Sequence, residues 1–169
     1  MAKNTITKYL EYLEAAFLIV RVRRGDDTGK TFQRMRNFKV YLTNPSMRSA
    51  LFAPISDGDE PMGAMAETAL ISQRFHSDLM RNIHYARWKK GRADLEDDLV
   101  RVDPARLKPK WAYEIKWSDR YADNQPGELR GLIELAKRNA DVSLPVGATT
   151  KTITRETVID GITIRHFPC

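Results

Sequence analysis

The sequence predicts a mixed α/β fold, a mixed sheet flanked by helices, on three observations. Short runs at Ile83–Trp88, Asp97–Val102 and Trp111–Trp117 have the composition and alternation of three successive strands. A helical pattern precedes them over 62–79, where Met62, Met65, Ala66, Ala69, Leu70 and Phe75 make a broad apolar surface. Another follows, with Leu129, Leu132, Ile133 and Ala136 at the spacing of one buried stripe after Pro126-Gly127. A further strand is expected within 141–149, and Asp160-Gly161 between two alternating runs is a two-residue hairpin signal.

Length and composition narrow the class. The 169 residues suffice for one good core and a small appended lobe. With 42% hydrophobic and 30% charged residues the chain has an ordinary globular composition. No apolar run approaches the roughly 20 residues of a spanning helix, and the start lacks a signal-peptide core, so no membrane association and a cytoplasmic location are expected. The only cysteine, Cys169, excludes an internal disulfide, and His76, His84 and His166 lack zinc-ligand spacing. A net charge of +6 favours an anionic partner such as nucleic acid. The cations crowd two segments, Arg21, Arg23, Arg24, Lys30, Arg34, Arg36 and Lys39, then Arg87, Lys89, Lys90 and Arg92.

In chain order, Asn4 or Thr5 is expected to cap a helix with Ile6, Leu10, Leu13 and Phe17 on its buried stripe. A strand over 17–23, a turn at 25–29 and a strand at Phe38–Leu42 follow. Helix, strand, loop and strand in that order is the tail of a winged helix, whose helix would offer Asn4, Thr5, Thr7 and Lys8 to a DNA groove, with the basic loop as wing. The two helices that should come first are missing, so the lobe is expected to be truncated at Met1. Gly25-Asp26-Asp27-Thr28-Gly29-Lys30-Thr31 nearly spells a phosphate-binding loop. It has three residues between the glycines in place of four, and two acids that would repel phosphate, so it is rejected as an ATP site. A short helix from Asn44-Pro45 through Phe52 leads to the mobile-looking connector 54–61. That connector divides the expected lobe, 1–53, from the main domain, 54–169. Lys89–Leu95 is expected to be a basic loop.

The chemistry concentrates between Asp97 and Trp117. Strand alternation puts Trp111, Tyr113, Ile115 and Trp117 on one face and Glu114 with Lys116 on the other. A hairpin with the acidic strand would bring Asp98 towards both. Converging carboxylates suit a hard divalent cation such as Mg2+ or Mn2+, and a nearby lysine can stabilise charge on phosphate or on attacking water. Glu67, flanked on its helix by Gly63, Ala64, Leu70 and Ile71, is not on an ordinary solvated face.

A helix with Glu67, a strand, a strand with Asp98, a strand with Glu114-x-Lys116 and a helix, in that order, resembles the PD-(D/E)xK nuclease superfamily. The resemblance implies a restriction-endonuclease-like core in which the acids Glu67, Asp98 and Glu114 hold metal and Lys116 assists phosphodiester hydrolysis. Over nearly the whole chain, the segments 5–19, 39–48 and 112–118 are also similar to a C-terminal domain of unknown function found in prokaryotic AAA+-type ATP-binding proteins. That implies an ATPase module and a complete winged helix upstream, so the chain is expected to be a fragment or a remnant. Family members show Glu-x-Asp with an apolar middle residue, whereas Glu96-Asp97-Asp98 puts a charge in that slot.

Two readings follow. One is a metal-dependent nuclease-like domain acting on DNA, with Asp98, Glu114, Lys116 and Glu67 in the site and Thr5, Thr7, Lys8, Arg21, Arg23 and Lys30 on nucleic acid. The other is a catalytically inactive DNA- or partner-binding module of the ATPase. A bare Glu114–Lys116 ion pair would leave Asp98 and Glu67 unexplained.

Overall fold

In a computed structural model of the chain, residues 3–25, 37–123 and 127–169 are described. Their strands are β1 (Ile19–Gly25), β2 (Phe38–Leu42), β3 (Ile83–Lys90), β4 (Ala93–Asp103), β5 (Lys108–Glu114), β6 (Val146–Thr150), β7 (Arg155–Ile159) and β8 (Ile162–Pro168). The helices are α1 (Lys3–Ala15), α2 (Ser46–Leu51), α3 (Met62–Arg74) and α4 (Arg130–Arg138). The strands form one mixed sheet of eight in the order β2-β1-β3-β4-β5-β6-β8-β7. Neighbours run parallel at β1–β3, β5–β6 and β6–β8 and antiparallel elsewhere.

The sheet has a core on each face. On one, the apolar stripe of α4, with Leu132, Ile133, Leu135 and Ala136 buried, packs on Leu95, Val100, Ala112, Val146 and Ile164. On the other, Ala66 and Ile71 of α3 pack with Val22, Tyr41, Tyr85, Leu99 and Ile115. The division follows strand alternation: Trp111, Tyr113, Ile115 and Trp117 lie on the α3 side, as expected, and Ala112 on the α4 side. Close approach demands glycine at Gly147 of β6, where a Cβ would fall 2.3 Å from the Tyr113 ring. The Asp160-Gly161 turn has φ of 52° and 78°, both left-handed as a type I′ hairpin requires.

Several expectations need correction. Helix α1 already includes Asn4 and Thr5, so neither caps it, and its stripe is not buried: Ile6 is 49%, Leu13 38% and Phe17 72% exposed. Phe17 lies beyond the helix with φ of 56°. The strand pair after α1 forms as expected, but β1 also pairs with β3, so the hairpin extends the main sheet across the expected boundary at 53/54. The connector 54–61 is tied down, with Asp57 accepting a hydrogen bond from Trp117 Nε1 at 2.7 Å and pairing with Lys151. Helix α3 stops at Arg74, five residues short of the predicted end at 79, and Asp78–Met80 is a separate 3-10 turn. Most of Lys89–Leu95 is strand, with only Gly91-Arg92 as the turn and Gly91 at φ of 61°. Most of the rejected phosphate-loop sequence lies outside the described residues. No helix of the described residues is long and apolar enough to cross a membrane.

Candidate functional site

Strands β4 and β5 pair from Asp103↔Lys108 to Leu99↔Tyr113 and no further. Beyond that point β4 stays with β3 as far as Ala93, while β5 stays with β6 to Glu114↔Ala148. The two strands therefore fork, and Asp98 and Glu114 stand at the apex. Within β4 a bulge interrupts the pairing, since Ala86 faces Asp97 but His84 faces Val100. Two residues, Asp98 and Leu99, thus oppose Tyr85, and both turn to the α3 side, whereas Asp97 turns to the α4 side.

On the α3 side the fork holds Glu96, Asp98, Glu67 and Lys39. The Lys39 Nζ lies 2.7 Å from Glu96 Oε1, 2.8 Å from Asp98 Oδ1 and 3.8 Å from Glu67 Oε2. The second Asp98 oxygen accepts the Ile115 amide N–H at 2.9 Å, which ties the acid to the end of β5. Tyr41, two residues along β2 from Lys39 and on the same face, donates its hydroxyl to Glu67 Oε2 at 2.9 Å. On the α4 side Lys116 Nζ pairs with Glu114 Oε1 at 2.8 Å and lies 5.5 Å from the Tyr121 ring centre. Thr149 of β6 fixes the Lys116 backbone through both its N–H and its C=O.

Five carboxylates and two ammonium groups thus share the fork. Burial, reinforced by the Asp98 charge, pushes Glu114 up to about 8 against a weaker pull from Lys116. Burial first, then Asp98, also raises Glu67. Asp97 is also raised well above the usual carboxylate range: it is fully buried against α4, with Glu114, Asp98 and Glu96 as like-charged neighbours. Among the described residues neither Asp97 oxygen has a hydrogen-bond partner, and neither does Glu114 Oε2. Burial works against both lysine charges, but the adjacent acids outweigh it and hold Lys39 and Lys116 above the ordinary ammonium range. Among the described residues no three His, Cys, Asp or Glu side chains converge as a ready-made metal cage. A cleft of about 540 Å3 between α3 and the sheet, lined by Met65, Leu70, Trp111, Tyr113 and Trp117, contains none of the five acids.

The fork sets Asp98 near Glu67 on the α3 side and Glu114 beside Lys116 on the α4 side, with Asp98 and Glu114 at its apex. It adds Lys39, Glu96 and Asp97, which sequence reasoning left out of the site. The alternation Phe38-Lys39-Val40-Tyr41 carried a signal for Lys39, since it sets that cation on the same face as a buried tyrosine. The unusual charge at Asp97 was visible, but its burial was not. Of the residues expected on nucleic acid, Thr7, Lys8 and Arg23 are exposed and Thr5 is half-buried. Arg21 is taken up by Glu14, which accepts from both its guanidinium and its amide N–H. Lys30 lies outside the described residues. In the second basic segment Arg87 pairs with Asp94 and Lys90 with Glu134. Comparison of the chain with protein-family models, curated proteins and solved structures gives no match.

Proposed function

We propose that the fork is a metal-dependent phosphodiesterase site of the endonuclease type, acting on DNA in the cytoplasm, in a chain that works with an AAA+-type ATPase domain. The observation that carries this reading is the excess of acid: five carboxylates face two ammonium groups, and three carboxylate oxygens have no hydrogen-bond partner among the described residues. Oxygen ligands in excess of fixed cations fit Mg2+ or Mn2+. The order helix, three antiparallel strands, helix, parallel strand over α3 to β6 supports the resemblance to PD-(D/E)xK nucleases, as does the placement of Asp98 and Glu114 at the apex of the fork.

Asp98 and Glu114 would hold the ion, with Glu67 as a further ligand or as an orienting group. A bound divalent ion supplies Lewis-acid polarisation of phosphate and a more acidic water. Lys116 keeps its proton at neutral pH, because Glu114 raises its affinity for it, and so acts as a fixed positive charge for the phosphate and not as a base. Exposed Arg23, with Thr7 and Lys8, provides sequence-independent contacts to the DNA backbone.

A second reading, a catalytically inactive DNA- or partner-binding module, is favoured by one observation: Lys39 already neutralises the acids nearest α3. Cleavage assays on supercoiled, linear and branched DNA with Mg2+ or Mn2+ separate the two. Cleavage that is lost in Asp98→Ala and Lys116→Met, with the fold intact, supports the enzyme. DNA binding without cleavage of any form, equal in wild type and Asp98→Ala, supports the module.

A further inference from the structure

Lys39 reaches the fork from β2, the edge strand of the sheet, and comes from outside the helix–strand unit that carries the other site residues. Its ammonium group touches oxygens of Glu96 and Asp98 and stands 3.8 Å from Glu67, with the Tyr85 ring centre 5.4 Å away. A divalent ion shared by Asp98 and Glu67 would need their oxygens within about 2.0–2.6 Å of one point. Lys39 Nζ already occupies that space. Two cations in contact repel strongly in a half-buried site, so the ammonium and a metal ion exclude one another there. On the other side of the fork, Glu114 is only 8% exposed and its Oε2 has no hydrogen-bond partner among the described residues. The position among Glu67, Glu96 and Asp98 is thus filled by Lys39, whereas on the other side Lys116 pairs with Glu114 Oε1 and leaves Oε2 open.

We propose that Lys39 is a built-in cation occupying the position between Glu67, Glu96 and Asp98, so that the native site takes a single divalent ion, on the Glu114 side, and loss of the Lys39 charge opens a second position. The inference rests on the metal-site reading above and refines it. Glu67 becomes an orienting group, held by Tyr41 and facing Lys39, and a bound ion would polarise phosphate beside two fixed ammonium groups, Lys39 and Lys116.

The test is a Mn2+ titration by calorimetry on the full chain. Wild type and Lys39→Arg, which keeps the charge, are expected to bind the same number of ions, and Lys39→Met one more per chain. Equal numbers in Lys39→Met and wild type overturn the proposal. If Lys39→Met does not fold, Lys39→Met/Glu96→Gln restores the charge balance while leaving Asp98 and Glu67, and it should bind the extra ion. Failure of both variants to fold even in saturating Mn2+ also overturns the proposal, because a metal ion would then be unable to replace the ammonium. The metal-site reading fails separately: it falls if wild type binds no ion, whatever the difference between wild type and Lys39→Met.

Discussion

Gly131 of α4 lies so close to Asp97 of β4 that an added methyl group has no room. A Cβ at Gly131 would fall 2.9 Å from Asp97 Oδ1 and 2.5 Å from the Glu96 carbonyl oxygen. The helix is thereby pressed onto the strand at the place where the strand turns an acid towards α4. Replacing glycine by alanine within a helix ordinarily gains about 1 kcal/mol. Here the clash is with backbone, and overpacking costs about 1–3 kcal/mol, so the net sign reverses. Gly131→Ala is expected to lower Tm, as scanning calorimetry would show; a rise in Tm would mean that α4 can move off β4 freely.

Asp97 stands where its neighbours Leu95 and Val100 are core residues, yet among the described residues nothing hydrogen-bonds to it. An unsatisfied buried polar group costs about 1–3 kcal/mol, and leucine has the same branching as aspartate. Asp97→Leu is therefore expected to stabilise the metal-free protein by an amount in that range at pH 7, measured by urea denaturation. A loss of stability would show that the carboxyl group has a role the packing does not reveal.

Glu67, Asp97 and Glu114 all hold protons more tightly in the folded chain than in the unfolded one. Their contribution to stability is complete below the unfolded-state pKa and is lost as pH rises through the folded value. For Glu114 that window runs from 4.5 to about 8. Stability in chelator should fall across it, by at most about 1.4 kcal/mol per pH unit for each group. If the fork takes Mg2+, the ion binds the ionised carboxylates, so the rise in Tm that it produces should grow with pH over the same window. Melting curves with and without Mg2+ check both trends, and a Tm that climbs with pH in chelator would refute the first.

Thr149 is fully buried and grips the Lys116 backbone twice, accepting from its N–H at 2.7 Å and donating to its C=O at 2.9 Å. Thr149→Val keeps the shape and removes both bonds, at a cost of about 1–3 kcal/mol. If Lys116 acts on phosphate, its misplacement should lower kcat about tenfold or more with little change in KM, and Thr149→Ser should restore it. A fall in stability with kcat unchanged would leave Thr149 a purely structural residue.

Local periodicity made several elements legible. The alternation around Trp111–Trp117, the stripe of α4 and the Asp160-Gly161 turn are properties of consecutive residues, and the facing of each set of side chains is as expected, although the strand itself runs Lys108–Glu114 and stops short of Trp117. Glu114 beside Lys116 was legible for the same reason. The apolar stripe of α1 was legible too, but burial depends on what covers a face, and among the described residues little covers that one. Charge misled at Lys89–Leu95, because a β-ribbon with one exposed face tolerates lysine, arginine and aspartate as readily as a loop does.

What tertiary structure alone decided lies at the fork. Whether Asp97 or Asp98 turns to α3 depends on the bulge opposite Tyr85, and a bulge is a property of two strands in register, not of either sequence. Lys39 meets Asp98 across 59 residues of chain because β1 docks beside β3 and carries β2 with it. The charge state of the acids follows from that docking: the same carboxylates in an unfolded chain would be solvated and ordinary, and only desolvation between α3, α4 and the splayed strands makes them compete for protons, lysines or a metal ion.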